Sequence, residues 1–194
     1  MNCILAGVGG QGTVLASKLI AQALMALGHQ VRTAETIGMA QRGGCVVSHV
    51  RAGADCASPM VPLHSADVLI GFEPAEAVRC LPYLKEGGTA VVSRRAVRPV
   101  TASLTGSAYD GEDMLAYLKA NVPGLILIDG EAVCAAAGST RALNVALVGA
   151  ALRALSIPEE VMEKTIEGAV RPQYVEINRK ALLAGLDAAR KEEE

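Results

Sequence analysis

Hydrophobic and polar positions along the chain change period repeatedly. Short apolar runs alternate with stretches whose apolar residues recur every three or four positions. Asn2–Ala6 reads as a buried strand. Thr13–Leu27 carries Leu15, Leu19, Ala23 and Leu27 at helical spacing beside Ala16, Ile20 and Leu24, and Gly28 stands where a helix end favours glycine. Further strands are predicted at Gln30–Glu35, Cys45–Arg51, Asp67–Phe72, Gly88–Ser93 and Leu125–Asp129, the last uniform enough to be buried on both faces. Helices are predicted over Pro74–Lys85, with proline in the first turn, and over Asp110–Asn121. Val97–Ser107 fits a strand or a loop.

Beyond Asp129 the pattern is helical only. Arg141–Leu155 is small and aliphatic nearly all round, so it should be buried. Ser156 and Glu159 have capping-box spacing and predict a helix from Pro158. A last helix is predicted over Glu176–Arg190, with Glu192–Glu194 at the negative end of its dipole and expected to fray. The expected fold is α/β: a Rossmann-like three-layer α/β/α arrangement with a mostly parallel sheet, strand–helix alternation over 1–130 and a helical C-terminal segment over 131–194. The whole of 1–194 is read as one domain.

Composition narrows this. Of 194 residues 51% are hydrophobic, yet there is one Phe, four Tyr and no Trp, so the core is aliphatic. A formal net charge of -2 gives no pull toward nucleic acid or a membrane surface. No basic, uninterrupted apolar leader opens the chain, and no apolar run reaches the length of about 18 residues that spans a bilayer. The expected location is cytoplasmic. Cys3, Cys45, Cys56, Cys80 and Cys134 contain no Cys-x-x-Cys and no zinc or iron–sulfur spacing, so free thiols are expected and no metal site.

Two constellations carry candidate chemistry. Gly7-Val8-Gly9-Gly10-Gln11-Gly12 matches G-x-G-x-x-G between a strand and an amphipathic helix. Glycines there let a ligand approach the backbone, and the helix N-terminus offers unpaired N–H groups to an anion. The same glycines would also serve close strand–helix packing alone. Glu35 lies about 20 residues further on, where dinucleotide folds place a ribose-binding acid; capping of the loop at Gly38 suits it equally. In the second constellation, Gly38-Met39-Ala40-Gln41-Arg42-Gly43-Gly44, the glycines predict a loop. Arg42 has no carboxylate nearby in sequence. His49 and Arg51 should share a strand face with Cys45 and Val47, opposite Ser48.

Together, the glycine loop and the run from Gly38 through Ser48, His49 and Arg51 resemble the gamma-type domain of the 2-oxoacid:ferredoxin oxidoreductases. The likeness extends to Asn144–Leu152 and to Pro172-Gln173-Tyr174-Val175-Glu176-Ile177-Asn178 with Ala181 and Gly185. Within the family it is most similar to the indolepyruvate-acting branch. The resemblance implies an enzyme of anaerobic metabolism that decarboxylates a 2-oxoacid on thiamine diphosphate, passes electrons through iron–sulfur clusters to ferredoxin and forms an acyl-CoA. Neither the thiamine diphosphate pattern nor cluster cysteines occur here. Both cofactors are therefore expected on a large partner subunit, with this chain inactive alone. Gly7, Gly9, Gly10, Gln11, Gly12 and Glu35 are the expected cofactor-binding residues, coenzyme A being the candidate ligand. Gln41, Arg42, Gly43, Ser48 and His49 are expected at the shared active site or interface.

Several residues have plainer readings. His29 follows a helix end, His64 lies among prolines, and Arg94-Arg95 suits a solvated strand end. Tyr174 and Asn178 suit burial against the sheet as well as ligand contact. Readings from other classes are an NAD-linked oxidoreductase and a stand-alone nucleotide-binding module.

Overall fold

The computed structural model describes residues 1–37, 44–54, 56–98 and 108–193. Six strands form one sheet: β1 (Asn2–Val8), β2 (Val31–Ile37), β3 (Cys45–Ala52), β4 (Ala66–Gly71), β5 (Leu84–Ser93) and β6 (Gly124–Ile128). Their spatial order is β2-β3-β1-β4-β5-β6. β1, β4, β5 and β6 pair in parallel, whereas β3 runs antiparallel to both β1 and β2. The sheet is thus mostly parallel, as the alternation of elements predicts, with a hairpin folded back at one side.

Seven α-helices occur among the described residues: α1 (Thr13–Ala26), α2 (Pro74–Cys80), α3 (Glu112–Asn121), α4 (Gly130–Ala137), α5 (Leu143–Leu155), α6 (Glu159–Ala169) and α7 (Pro172–Glu193). Successive side chains of a strand point to opposite faces, so β1 feeds two cores. Cys3 and Leu5 join α1, α4, α5, α6 and α7 on one side. Ile4 and Ala6 join α2 and α3 on the other. This is the three-layer arrangement. α5 is its most enclosed helix, with Val145, Ala146, Leu147 and Val148 all without solvent exposure.

Some boundaries differ from the sequence reading. The helix predicted over Pro74–Lys85 stops at Cys80; a 3-10 turn over Leu81–Tyr83 follows, and β5 begins at Leu84. Pro82 explains the break, since it supplies no backbone donor. The helix α4 lies in the stretch expected to be helical, although the sequence reading gave it no bounds; Asp129 caps it through the N–H groups of Glu131 and Ala132, and Gly138 closes it with φ +73. The capping box at Ser156 does not form. Ser156 instead ends α5 with φ +55, and α6 starts after Pro158 without a side-chain cap. The last helix starts at Pro172 rather than Glu176. It runs to Glu193, and Glu192 accepts from Arg94 at 3.0 Å. Of the stretch predicted as strand or loop, 97–107, all but the first two positions lie outside the described residues.

Candidate functional site

The carboxyl ends of the parallel strands carry the glycine loop, where open α/β sheets bind ligands. Each of its residues has a distinct local task. A β-carbon on Gly7 would meet Gln11 Oε1 at 2.8 Å and Phe72 Cβ at 2.9 Å, so Gly7 answers to packing. Gly9 donates to the Gly44 carbonyl at 2.9 Å, which ties the loop to the start of β3. Gly10 has φ +99 and open space where a side chain would begin. Gly12, at φ +81, is the N-cap of α1, and no side chain among the described residues caps that helix. Its first N–H groups therefore remain available to an anion.

Gln11 does something the sequence does not show. Its Oε1 accepts from Val8 N–H at 2.8 Å, and its Nε2 donates to the Phe72 carbonyl at 3.0 Å. The amide links the ends of β1 and β4, and both of its polar atoms are used within the chain.

Glu35 is exposed on β2 and accepts from Ser17 Oγ at 3.5 Å. Ser48 faces Glu35 across the β2–β3 pair and is fully buried, and its hydroxyl has no hydrogen-bond partner among the described residues. His49 is 1% exposed on the opposite face of β3. Its Nδ1 accepts from Val61 N–H at 3.2 Å, and its ring meets Tyr83 edge-on, with centroids 5.5 Å apart. Burial lowers its pKa from the ordinary histidine value. In this chain His49 pins the segment before β4 to the sheet. Gln41, Arg42 and Gly43 lie outside the described residues.

Sequence reasoning missed Glu73. It follows the apolar run of β4 directly, is 2% exposed, and accepts from Glu76 N–H at 3.0 Å and from the Tyr109 hydroxyl. The signal was a carboxylate between a buried strand and a helix-starting proline, an N-cap position. Nearby, the buried Oε2 of Glu76 has no hydrogen-bond partner among the described residues. Burial first, and then the Glu76 carboxylate, push the Cys45 thiol up to about 11; burial, Cys45 and Glu76 push Cys80 to about 12. Such thiols carry little thiolate near neutrality and make poor nucleophiles. All five cysteines are free, and no group of three His, Cys, Asp or Glu side chains gathers for a metal among the described residues.

Residues from α1, α5, α7 and the connections before α5 and α7 line a groove of about 460 Å³ beside the first turn of α1. Leu15, Val170 and Ile177 form its apolar part, and Arg141, Asn144, Arg171, Tyr174 and Asn178 its polar part. Asn144 Nδ2 approaches the Gly12 carbonyl at 3.5 Å, joining groove and glycine loop. Tyr174 is 47% exposed, so this part of the family-like motif lines a surface rather than packing on the sheet.

Residues 2–188 match the pyruvate ferredoxin/flavodoxin oxidoreductase family. The chain is 35% identical to the indolepyruvate oxidoreductase subunit IorB of Thermococcus kodakarensis, over 97% of this chain and 96% of that protein. Its fold is similar to the crystal structure of a keto/oxoacid ferredoxin oxidoreductase gamma subunit from Geobacter sulfurreducens, with TM-score 0.71, 22% identity and 98% of both chains covered. It is also similar in fold to 2-oxoglutarate:ferredoxin oxidoreductase from Magnetococcus marinus, solved with 2-oxoglutarate, coenzyme A and succinyl-CoA bound. There the TM-score is 0.69 at 19% identity, and this chain corresponds to 31% of the larger one.

Proposed function

The chain belongs to the pyruvate ferredoxin/flavodoxin oxidoreductase family, and from that premise we propose that it is the small subunit of a 2-oxoacid:ferredoxin oxidoreductase acting on indolepyruvate or another aryl 2-oxoacid. The observation that carries the reading is the 35% identity to an indolepyruvate oxidoreductase subunit across 97% of this chain. A likeness over the full length of both proteins supports a shared place in an assembly, beyond a shared fold.

The residues present do not fit iron–sulfur clusters, because Cys3 and Cys134 lie in one core and Cys80 in the other, and no three ligating side chains gather among the described residues. Thiamine diphosphate and the clusters belong, in this reading, to a larger subunit, and electrons leave that subunit to ferredoxin. What this chain supplies is an anion-binding loop. Gly10 leaves room for a ligand against the backbone, and the uncapped start of α1 directs N–H groups and partial positive charge at it. Coenzyme A is the anionic ligand we assign there. Gln11 holds the loop in shape from behind, with one of its two amide N–H groups on the Phe72 carbonyl.

The test is co-expression with candidate large subunits, followed by anoxic purification and a 2-oxoacid-dependent dye-reduction assay. Indolepyruvate should support reduction that requires coenzyme A and the assembled complex. Turnover by the small chain alone, or no complex with any such subunit, would overturn the reading. Faster turnover with pyruvate than with aryl 2-oxoacids would remove the aryl assignment and leave the subunit role.

A further inference from the structure

The groove beside α1 holds positive charge that no carboxylate among the described residues pairs with. Arg141 and Arg171 are exposed on its rim, and neither has a carboxylate partner among the described residues. Arg95 borders an adjoining hollow that shares Ser139 with the groove, and it too has no ion pair among those residues. Between the arginines lie the partly buried apolar side chains of Leu15, Val170 and Ile177, flanked by the exposed ring of Tyr174.

That combination fits a protein segment better than a small molecule. Sites for small ligands enclose most of the ligand surface, whereas this groove is bordered by exposed residues along its rim. Tyrosine and arginine around an apolar floor are what the energetic centres of protein interfaces contain. Separated cations also ask for more than one anionic group, which an extended acidic segment supplies at spaced positions.

We propose that this groove receives an acidic segment of the larger subunit. An apolar side chain of that segment rests on Leu15, Val170 and Ile177, while its carboxylates pair with Arg141 and Arg171. The inference rests on the reading above that the chain works beside such a subunit. It adds which face is covered and the chemistry of what covers it.

The experiment measures the dissociation constant between the full chain and the larger subunit, at low and high salt, for wild type, Arg141→Glu, Arg171→Glu, the double variant and Tyr174→Ala. Thermal unfolding of each isolated chain is recorded alongside. The arginines are exposed, so their variants should unfold like wild type. Each charge reversal should weaken assembly about tenfold or more. The double variant should lose most of the salt dependence that wild type shows. Assembly of the double variant at wild-type affinity would overturn the proposal. So would normal assembly combined with a raised requirement for coenzyme A, which would make the groove a small-anion site. If wild type itself binds no larger subunit, the functional reading fails and this inference falls with it.

Discussion

The side-chain amide of Asn144 occupies the position beside Gly12 that a β-carbon would need, with Nδ2 only 2.6 Å from that point. Gly12 is also held at φ +81, a region that costs an L-residue about 1–2 kcal/mol. Strain and clash act together there. Gly10, at φ +99, would meet the strain without the clash, because nothing lies within 4 Å of its absent side chain. Gly12→Ala should therefore destabilise the isolated chain more than Gly10→Ala does. Denaturant unfolding of both variants checks the order. Equal losses would show that Asn144 yields freely.

Gln11 is expected to matter for folding. Gln11→Ala removes a bond to Val8 N–H and another to the Phe72 carbonyl, and leaving such groups without partners costs about 1–3 kcal/mol each where water cannot reach them. Gln11→Glu keeps the acceptor for Val8 but sets an oxygen against the Phe72 carbonyl, so it should not restore wild-type stability. Wild-type unfolding in Gln11→Ala, with activity of the assembled enzyme lost, would instead place Gln11 among the ligand contacts.

Much of this framework was legible because it is local. The strand, glycine loop and helix at the start are set by period and by glycine chemistry within a short stretch, and the structure keeps them almost unchanged. The direction of β3 was not legible. Cys45–Ala52 alternates in the same way whether it runs with or against its neighbours, and only its insertion between β2 and β1 decides that. The structural task of Gln11 was hidden for a related reason. A long polar side chain in a phosphate-type loop reads as a ligand donor, while its actual partner, the Phe72 carbonyl, is remote in sequence. The groove was legible only as family-like motifs at Asn144 and Tyr174. Helix packing then brings them to one surface beside Leu15.

His49 should make stability depend on pH. Its Nδ1 must be unprotonated to accept from Val61 N–H, and burial lowers its folded pKa below the ordinary value of 6.5. Below that value the unfolded chain binds the proton more readily, so stability should fall with pH there. The contribution is complete above about pH 6.5 and is lost as pH drops toward the folded pKa. His49→Gln keeps an acceptor and removes the titration. Its stability, measured by denaturant unfolding between about pH 8 and pH 5, should vary less than that of wild type. An unchanged slope would assign the pH dependence to other groups.

The closest helix crossing should be the least tolerant position in the molecule. α5 and α7 approach through two glycines that answer each other: a β-carbon on Gly149 would lie 2.1 Å from the Leu182 carbonyl oxygen, and one on Gly185 would lie 1.8 Å from that of Ala146. Both obstacles are backbone, so no side-chain rotation relieves them, and the helices must move apart. Separation opens the core around Leu147, Ala181 and Leu182, which are fully buried. Overpacking a core costs about 1–3 kcal/mol and occasionally more. Gly185→Ala should sit at or above the top of that range, and Gly149→Ala close to it. The double variant should lose less than the sum of the two, since one separation of the helices accommodates both methyl groups. Unfolding of the two single variants and the double variant decides this. Full additivity would mean that each methyl group is absorbed locally, with α5 and α7 still in contact as before.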